Sequence, residues 1–144
     1  MADIRPLSEA FAAAPQILPE DMPELAAAGF RHVVNNRPDS EVPAELQGEA
    51  MAAAAKAAGL GYTAIPVDHS GLSPAQVDQL RAVLAGAGGK VLGYCRSGTR
   101  STMLWALAEA ARGTSPDTIT RAAAAAGYDV RSLLPLMQKL APGR

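Results

Sequence analysis

The residues best suited to chemistry lie in one short segment, residues 95–101. It opens with Cys95, the only cysteine of the chain, and continues with two arginines, one glycine and three hydroxyl side chains. A thiolate is a strong nucleophile, and nearby cations or a helix N-terminus favour its formation. The segment therefore predicts a nucleophilic cysteine in a loop that binds anions.

Individual residues of this loop have predictable tasks. Gly98 lets the backbone turn its amides towards an anion, and the planar guanidinium of Arg100 offers two parallel donors to an oxyanion. The Ser101 hydroxyl is expected to donate a hydrogen bond to the thiolate or to the departing atom. The loop thus supplies a predicted catalytic set, Cys95, Arg100 and Ser101, and a predicted substrate-binding set, Arg96, Ser97, Gly98 and Thr99.

A structural cysteine is the alternative. Free cysteine is among the most buried residue types, and arginines are common on solvated surfaces. Cys95 alone would not exclude that interpretation. Its combination with cations, a glycine and hydroxyl groups, between a predicted strand and a predicted helix, favours the nucleophile.

Two further groups of polar residues follow other predicted strands. Asp68 is expected to be a general acid that protonates a leaving oxygen, with His69 beside it as a substrate-binding residue. Arg37 is expected to contact an anionic substrate. Each also fits a structural role, since Asp caps turns, a lone histidine is common on surfaces, and Arg37 can pin its own loop through Asp39.

These residues need a scaffold that brings strand ends together. Short β-branched runs alternate with alanine-rich stretches, which is typical of strands and covering helices in an α/β domain. The predicted strands are residues 30–35, 62–67 and 90–94, and the predicted helices are residues 19–28, 44–58, 74–85, 101–111, 115–126 and 130–140, the last two on one face of the sheet. In open parallel sheets, ligands bind beyond the carboxyl ends of strands, where Cys95, Asp68 and Arg37 are placed.

Composition bounds the remaining possibilities. The 144 residues are 49% apolar, as expected for one domain spanning residues 1–144. The 13 basic and 14 acidic residues nearly cancel, and no basic stripe predicts nucleic-acid binding. One cysteine and two histidines predict neither a disulfide nor a metal site, and no cofactor is expected. Since no signal peptide or membrane-spanning run is visible, we expect a cytoplasmic protein.

Four stretches together resemble a known family. They are residues 17–39, 65–68, 94–101 and 126–129, and they extend over nearly the whole chain. They are similar to the phosphatase-like domain family found alone or attached to β-lactamase-like hydrolases. The resemblance implies the α/β fold of the cysteine-dependent tyrosine and dual-specificity phosphatases, with a mainly parallel central sheet flanked by helices. In that fold the catalytic acid comes from a loop like the one that holds Asp68.

The length of the active loop departs from the phosphatase pattern. Phosphatases of that superfamily usually have five residues between the cysteine and the arginine, whereas four residues separate Cys95 from Arg100. The shorter loop, with Arg96 inside it, resembles the active loop of rhodanese-like sulfurtransferases. A phosphoryl transition state spreads charge over three equatorial oxygens that all need donors, so a shorter loop should fit it less well.

A sulfurtransferase is therefore the leading hypothesis. Cys95 would attack the sulfane sulfur of thiosulfate or a persulfide, hold it as a cysteine persulfide and pass it to a thiol acceptor. Hydrolysis of a phosphate ester through phosphocysteine is one alternative, and a non-catalytic module that binds an anion or a partner protein is another. The family's link to hydrolases that resemble persulfide dioxygenases implies a separate hydrolase of that kind as a functional partner.

Overall fold

Five short strands build the central sheet of the structure, a computed structural model that describes residues 2–142. Their bounds are β1 (Arg5–Pro6), β2 (Phe11–Ala14), β3 (Phe30–Asn35), β4 (Gly61–Ala64) and β5 (Lys90–Tyr94). The order across the sheet is β1-β2-β5-β3-β4, and every neighbouring pair is parallel except β1 with β2. The predicted mainly parallel sheet is confirmed.

Six α-helices connect and cover these strands within residues 2–142. They are α1 (Met22–Ala27), α2 (Gly48–Ala57), α3 (Pro74–Gly86), α4 (Thr99–Arg112), α5 (Pro116–Ala125) and α6 (Leu134–Leu140). Side-chain caps explain two of the starts. Ser73 and Ser115 each accept a backbone N–H from the first turn of α3 and α5, and each is followed by a proline, whose fixed φ suits the first helical position.

The sheet is buried on both faces, so alternate residues of one strand belong to different cores. Along β2, Phe11 and Ala13 pack with residues of α3, α4, α5 and α6, whereas Ala12 and Ala14 pack with residues of α1 and α2. Trp105 of α4 is buried and stacks on Phe11, with 6.4 Å between the ring centroids. The two last helices therefore share one face, as predicted.

The sequence pattern does not reveal β1 and β2. Strand β2 consists of one phenylalanine and three alanines, and alanine is depleted in strands. Its four residues are nevertheless buried, and they pair with β5 on one side and β1 on the other. Tertiary packing therefore overrides a weak local preference at this strand.

Several predicted boundaries also shift. Helices α1 and α6 begin at Met22 and Leu134 rather than at residues 19 and 130, because separate 3-10 turns, Pro19–Asp21 and Arg131–Leu133, precede them. Helix α2 begins at Gly48 rather than at residue 44, because a separate 3-10 turn, Ala44–Leu46, precedes it. Helix α4 begins at Thr99, two residues before its predicted start, because Gly98 already turns the chain. Strand β4 ends at Ala64, although the N–H groups of residues 65 and 67 still donate to the carboxyl end of β3 and the residue after it.

The fold places the carboxyl ends of β3 and β5 side by side, with α4 starting just beyond β5. The loop before α2 and the loop before α3 leave from the same edge. The edge formed by β3 and β5 is thus where the predicted site residues converge.

Within the described range, no helix combines the length and the apolar character needed to cross a membrane.

Candidate active site

Cys95 stands between β5 and α4 at the centre of this edge. Its side chain is buried, with 0% of the residue exposed. The backbone N–H of Gly98 donates to Cys95 Sγ at 3.1 Å. Gly98 is also the N-cap of α4, so the sulfur lies near the positive end of a helix. The amide donor and the helix N-terminus favour a nucleophilic thiolate, whereas the full burial of the side chain is the feature that the structural alternative predicts.

The loop turns at Gly98 in a way that other residues resist. Gly98 has a φ of +91°, in the left-handed region that disfavours side chains. A Cβ at this position would collide with the hydroxyl of Tyr128 and would lie 3.3 Å from the carbonyl carbon of Ala14. The backbone of the loop therefore packs directly against β2 and the C-terminal segment.

Arg100 forms a bidentate ion pair with Glu41. Its Nη1 donates to Glu41 Oε2 at 2.9 Å, and its Nη2 donates to Oε1 at 2.8 Å. Nη1 also donates to the carbonyl oxygen of Val67 at 2.7 Å. The hydrogen bonds from Arg100 hold the pKa of Glu41 below its usual range. The same hydrogen bonds raise the pKa of Arg100, and the nearby Cys95 raises it further.

The pairing leaves one edge of the Arg100 guanidinium available. A guanidinium has five N–H donors in a fixed planar arrangement. The Glu41 carboxylate accepts one N–H from Nη1 and one from Nη2, and the Val67 carbonyl oxygen accepts the second N–H of Nη1. The two donors that remain are the Nε–H and the neighbouring Nη2–H, which lie parallel on one edge. This edge can bind two oxygens of an anion while Glu41 holds the other.

Arg37 holds Glu41 from the opposite side. Its Nε donates to Glu41 Oε1 and its Nη2 donates to the Glu41 carbonyl oxygen, both at 3.2 Å, and its Nη1 donates to Gln16 Oε1 at 3.2 Å. Arg37 therefore pins its own loop, as the structural alternative predicts, although its partner is Glu41 rather than Asp39. Its contact with substrate stays a prediction. Sequence reasoning missed Glu41. The only available signal was its spacing of four residues from Arg37.

Asp68 and His69 reach the same cleft, and both are exposed. Asp68 Oδ1 accepts the Ser70 hydroxyl at 2.6 Å and the Ser70 backbone N–H at 2.9 Å. These two hydrogen bonds, the hydroxyl first, hold the pKa of Asp68 below its usual range. Asp68 therefore caps its own turn, as the structural alternative predicts, and its role as a general acid stays a prediction.

The prediction for the Ser101 hydroxyl needs correction. Ser101 is buried and donates to Asn36 Oδ1 at 2.7 Å, and Asn36 Nδ2 in turn donates to the Ile65 carbonyl oxygen at 2.8 Å. A hydroxyl carries a single proton, so Ser101 does not donate to Cys95 in this arrangement. Asn36 was not predicted. It ties α4 to the strand end that carries Arg37.

The exposed residues of the loop differ in their contacts. The Ser97 hydroxyl donates to Thr99 Oγ1 at 2.9 Å and accepts the Thr99 N–H at 3.3 Å, so these side chains stabilise the turn itself. Arg96 is exposed, and its side chain makes no hydrogen bond or ion pair with residues 2–142. Its charge is free to meet a ligand. The substrate-binding role of these residues stays a prediction.

Six residues line a cleft of about 400 Å³ next to the active loop: Arg37, Glu41, Asp68, His69, Arg96 and Arg100. The fully buried Cys95 is not one of the lining residues. Three of them are arginines, and two are carboxylates whose pKa values are lowered. In the part of the chain that the structure describes, no three His, Cys, Asp or Glu side chains are grouped so as to hold a metal ion. The cleft is suited to small anions.

Comparison with known proteins places these features in a family. A model described as "Beta-lactamase hydrolase-like protein, phosphatase-like domain" matches residues 3–112. A beta-lactamase hydrolase-like protein from Xylella fastidiosa strain Temecula1 is 34% identical over 125 residues, which are 86% of this chain. The matched region spans only 29% of the length of that relative.

Solved structures show the same fold. A candidate phosphatase from Neisseria meningitidis is 30% identical with a TM-score of 0.79, and the match covers 95% of this chain and 97% of that one. A cysteine-to-serine variant of TpbA from P. aeruginosa, in complex with phosphotyrosine, has a TM-score of 0.65 at 16% identity, with 98% and 91% covered. The predicted fold of cysteine-dependent phosphatases is confirmed.

Proposed function

This chain belongs to the phosphatase-like domain family of beta-lactamase hydrolase-like proteins, and from that premise and the geometry of its cleft we propose a cysteine-dependent sulfurtransferase. Cys95 accepts sulfane sulfur from thiosulfate or a persulfide and passes it to a thiol. The observation that carries this proposal is the short active loop, in which four residues separate Cys95 from Arg100 and the Gly98 N–H donates to Cys95 Sγ at 3.1 Å. Asp68 is exposed, and its Oδ1 accepts two hydrogen bonds from Ser70.

Sulfur transfer needs no acid at this position. The Cys95 thiolate attacks the outer sulfur of thiosulfate, a new S–S bond forms, and the old S–S bond breaks as sulfite leaves with the electron pair. An acceptor thiolate then attacks the outer sulfur of the Cys95 persulfide, and the Cys95 thiolate departs. Sulfite and thiolates are much less basic than the alkoxide of a phosphate ester, so they can leave as anions. Both steps therefore proceed without a proton donor in the cleft.

The charges of the cleft suit an anionic sulfur donor such as thiosulfate. The free edge of Arg100 offers two parallel N–H groups to the sulfonate oxygens, and Arg96 adds an unpaired cation at the rim. The Gly98 N–H, already 3.1 Å from Sγ, is in place to stabilise charge on sulfur. These groups support anion binding, and the short loop, with four residues between Cys95 and Arg100, supports transfer of a single sulfur atom, which needs fewer hydrogen-bond donors than a phosphoryl group.

Phosphate-ester hydrolysis is the second candidate, and the comparisons favour it. The Neisseria structure is described as a candidate phosphatase, and TpbA binds phosphotyrosine. By analogy, Cys95 would attack phosphorus, the ester oxygen would leave, and water would cleave the phosphocysteine. An ester oxygen needs a proton as it leaves. Asp68 or His69, both exposed in the cleft, would have to supply it.

One experiment separates the candidates. The purified chain is incubated briefly with thiosulfate, glutathione persulfide or phenyl phosphate and weighed by intact-protein mass spectrometry, with Cys95→Ser as the control. We expect a gain of one sulfur that a thiol removes, only when Cys95 is present. Phosphate release from phenyl phosphate with no sulfur gain would replace the proposal by the second candidate. Cys95 that resists both donors and alkylation would favour a non-catalytic binding module.

The biological setting follows as part of the proposal. We propose that residues 1–144 act as one domain in the cytoplasm, without a cofactor, beside a separate hydrolase of the persulfide dioxygenase kind. The matched Xylella relative is longer, since the aligned region is 29% of its length. Co-purification of sulfur-transfer and persulfide-oxidising activities from the native cell would test this setting.

A further inference from the structure

We propose that Tyr128 is a positioning residue for the active loop, one that sets the amide donor facing Cys95. Tyr128 is buried at 7% exposure and lies beyond the residues matched by the family model. Its hydroxyl donates to the Ser97 carbonyl oxygen at 2.9 Å. The inference rests on the proposed function only in taking Cys95 as the nucleophile.

The link from Tyr128 to Cys95 runs through one peptide unit. The carbonyl of Ser97 and the N–H of Gly98 belong to the same planar group, in which they point in opposite directions. Tyr128 binds the carbonyl end at 2.9 Å, and Cys95 Sγ accepts from the N–H end at 3.1 Å. Fixing the carbonyl therefore fixes the direction of the donor that reaches the sulfur.

Two contacts hold Tyr128 in place besides its hydrogen bond to Ser97. The Arg5 guanidinium lies over its ring, with 5.2 Å to the centroid, and Arg5 Nη1 donates to the Ala126 carbonyl oxygen at 3.4 Å. On its inner side the hydroxyl fills the space that a side chain at residue 98 would need. Burial raises the pKa of Tyr128, so its hydroxyl stays a donor across neutral pH.

The Tyr128→Phe variant tests this role, because it removes the donor and keeps the ring. Tyr94→Phe is the matched control, since the Tyr94 hydroxyl is buried with no hydrogen-bond partner among residues 2–142. Alkylation of Cys95 by iodoacetamide is followed from pH 5 to 10, with circular dichroism to verify the fold. In Tyr128→Phe we expect alkylation near neutral pH to slow about 3- to 10-fold, the effect of one hydrogen bond, and its pH profile to move upward. Tyr94→Phe should match the wild type.

Exchange of the Gly98 amide hydrogen, measured by NMR, gives a second readout. It should quicken in Tyr128→Phe and stay unchanged in Tyr94→Phe. An unchanged pH profile of alkylation in Tyr128→Phe would overturn the inference, because a purely structural role would alter stability alone. Alkylation needs no sulfur donor, so this result stands even if thiosulfate fails to load the wild type and the proposed sulfurtransferase is rejected.

Discussion

Glu41 accepts two hydrogen bonds from the outer edge of the Arg100 guanidinium, at 2.9 Å from Nη1 to Oε2 and 2.8 Å from Nη2 to Oε1. Arg37 donates to the same carboxylate at 3.2 Å, so one acid connects two arginines across the cleft. Parallel double hydrogen bonds fix the plane of a guanidinium as well as its position. The direction of the Arg100 edge that is left for substrate is therefore set by Glu41.

Replacing Glu41 by Gln should weaken this alignment. The amide retains one acceptor and loses the charge, so Arg100 can rotate away from an anion bound near Cys95. We expect kcat/KM for sulfur loading from thiosulfate to fall about 10- to 100-fold, since small misplacements of reacting groups carry penalties of this order. Glu45→Gln is the control, because Glu45 is an exposed acid of the same connection. A faster Glu41→Gln enzyme would mean that Glu41 competes with substrate and does not orient Arg100.

The same ion pair predicts a pH dependence of stability. Arg100 holds the pKa of Glu41 below its ordinary value of 4.5, so the folded state favours the carboxylate. The stabilisation is present above that value and is lost as pH falls through the lower pKa of the folded state. We expect the free energy of unfolding of the wild type to exceed that of Glu41→Gln by about 1 kcal/mol at pH 7. The difference should shrink below pH 4 in thermal unfolding, and a constant difference down to pH 3 would contradict it.

Much of the site could be read from the sequence, because its elements are local. A strand, a cysteine, a glycine and a helix follow one another in residues 90–112, and their order alone places Cys95 at a strand end. Glu41 could not be assigned to Arg100 in this way, since they lie 59 positions apart in the sequence and only the packing of the loop before α2 brings them together. The same holds for Asn36, which directly follows β3 and accepts a hydrogen bond from Ser101 on α4.

Strand β2 is an element that the sequence pattern could not predict. Its alanines carry no strand signal, and the stretch is extended only because β5 pairs with it and helices cover both of its faces. Tyr128 was part of a recognised motif, yet its contact with the Ser97 carbonyl depends on how the C-terminal segment packs behind the loop. Propensity and spacing describe neighbours in the chain, whereas these contacts are made by neighbours in space.

Asp68→Asn should distinguish the two candidate reactions. Asn retains an oxygen that can accept from Ser70, so the turn is kept while the carboxyl group is lost. We expect sulfur loading from thiosulfate to stay within about twofold, because the leaving sulfite needs no proton. If the chain hydrolyses phosphate esters with Asp68 as acid, that turnover should fall about 10²- to 10⁴-fold. Asp78→Asn, at an exposed position of α3, is the control. An equal loss of both activities would refute this division of roles.

Gly98→Ala should damage the fold and the site together, and a second glycine allows the two causes to be separated. Gly98 and Gly59 both have positive φ, +91° and +79°. A Cβ at Gly59 has no atom within 4 Å, whereas one at Gly98 meets the Tyr128 hydroxyl. Gly59→Ala therefore reports the backbone strain alone, about 1–2 kcal/mol.

In denaturant unfolding, Gly98→Ala should lose at least about 1 kcal/mol more than Gly59→Ala, because the added methyl group overpacks the loop. The N–H that donates to Cys95 Sγ belongs to residue 98, so displacing it should also reduce sulfur loading about 100-fold or more. Gly59→Ala should keep its activity. Equal stability losses, with sulfur loading intact in both variants, would show that the loop relaxes around the methyl group and that the Gly98 N–H is dispensable.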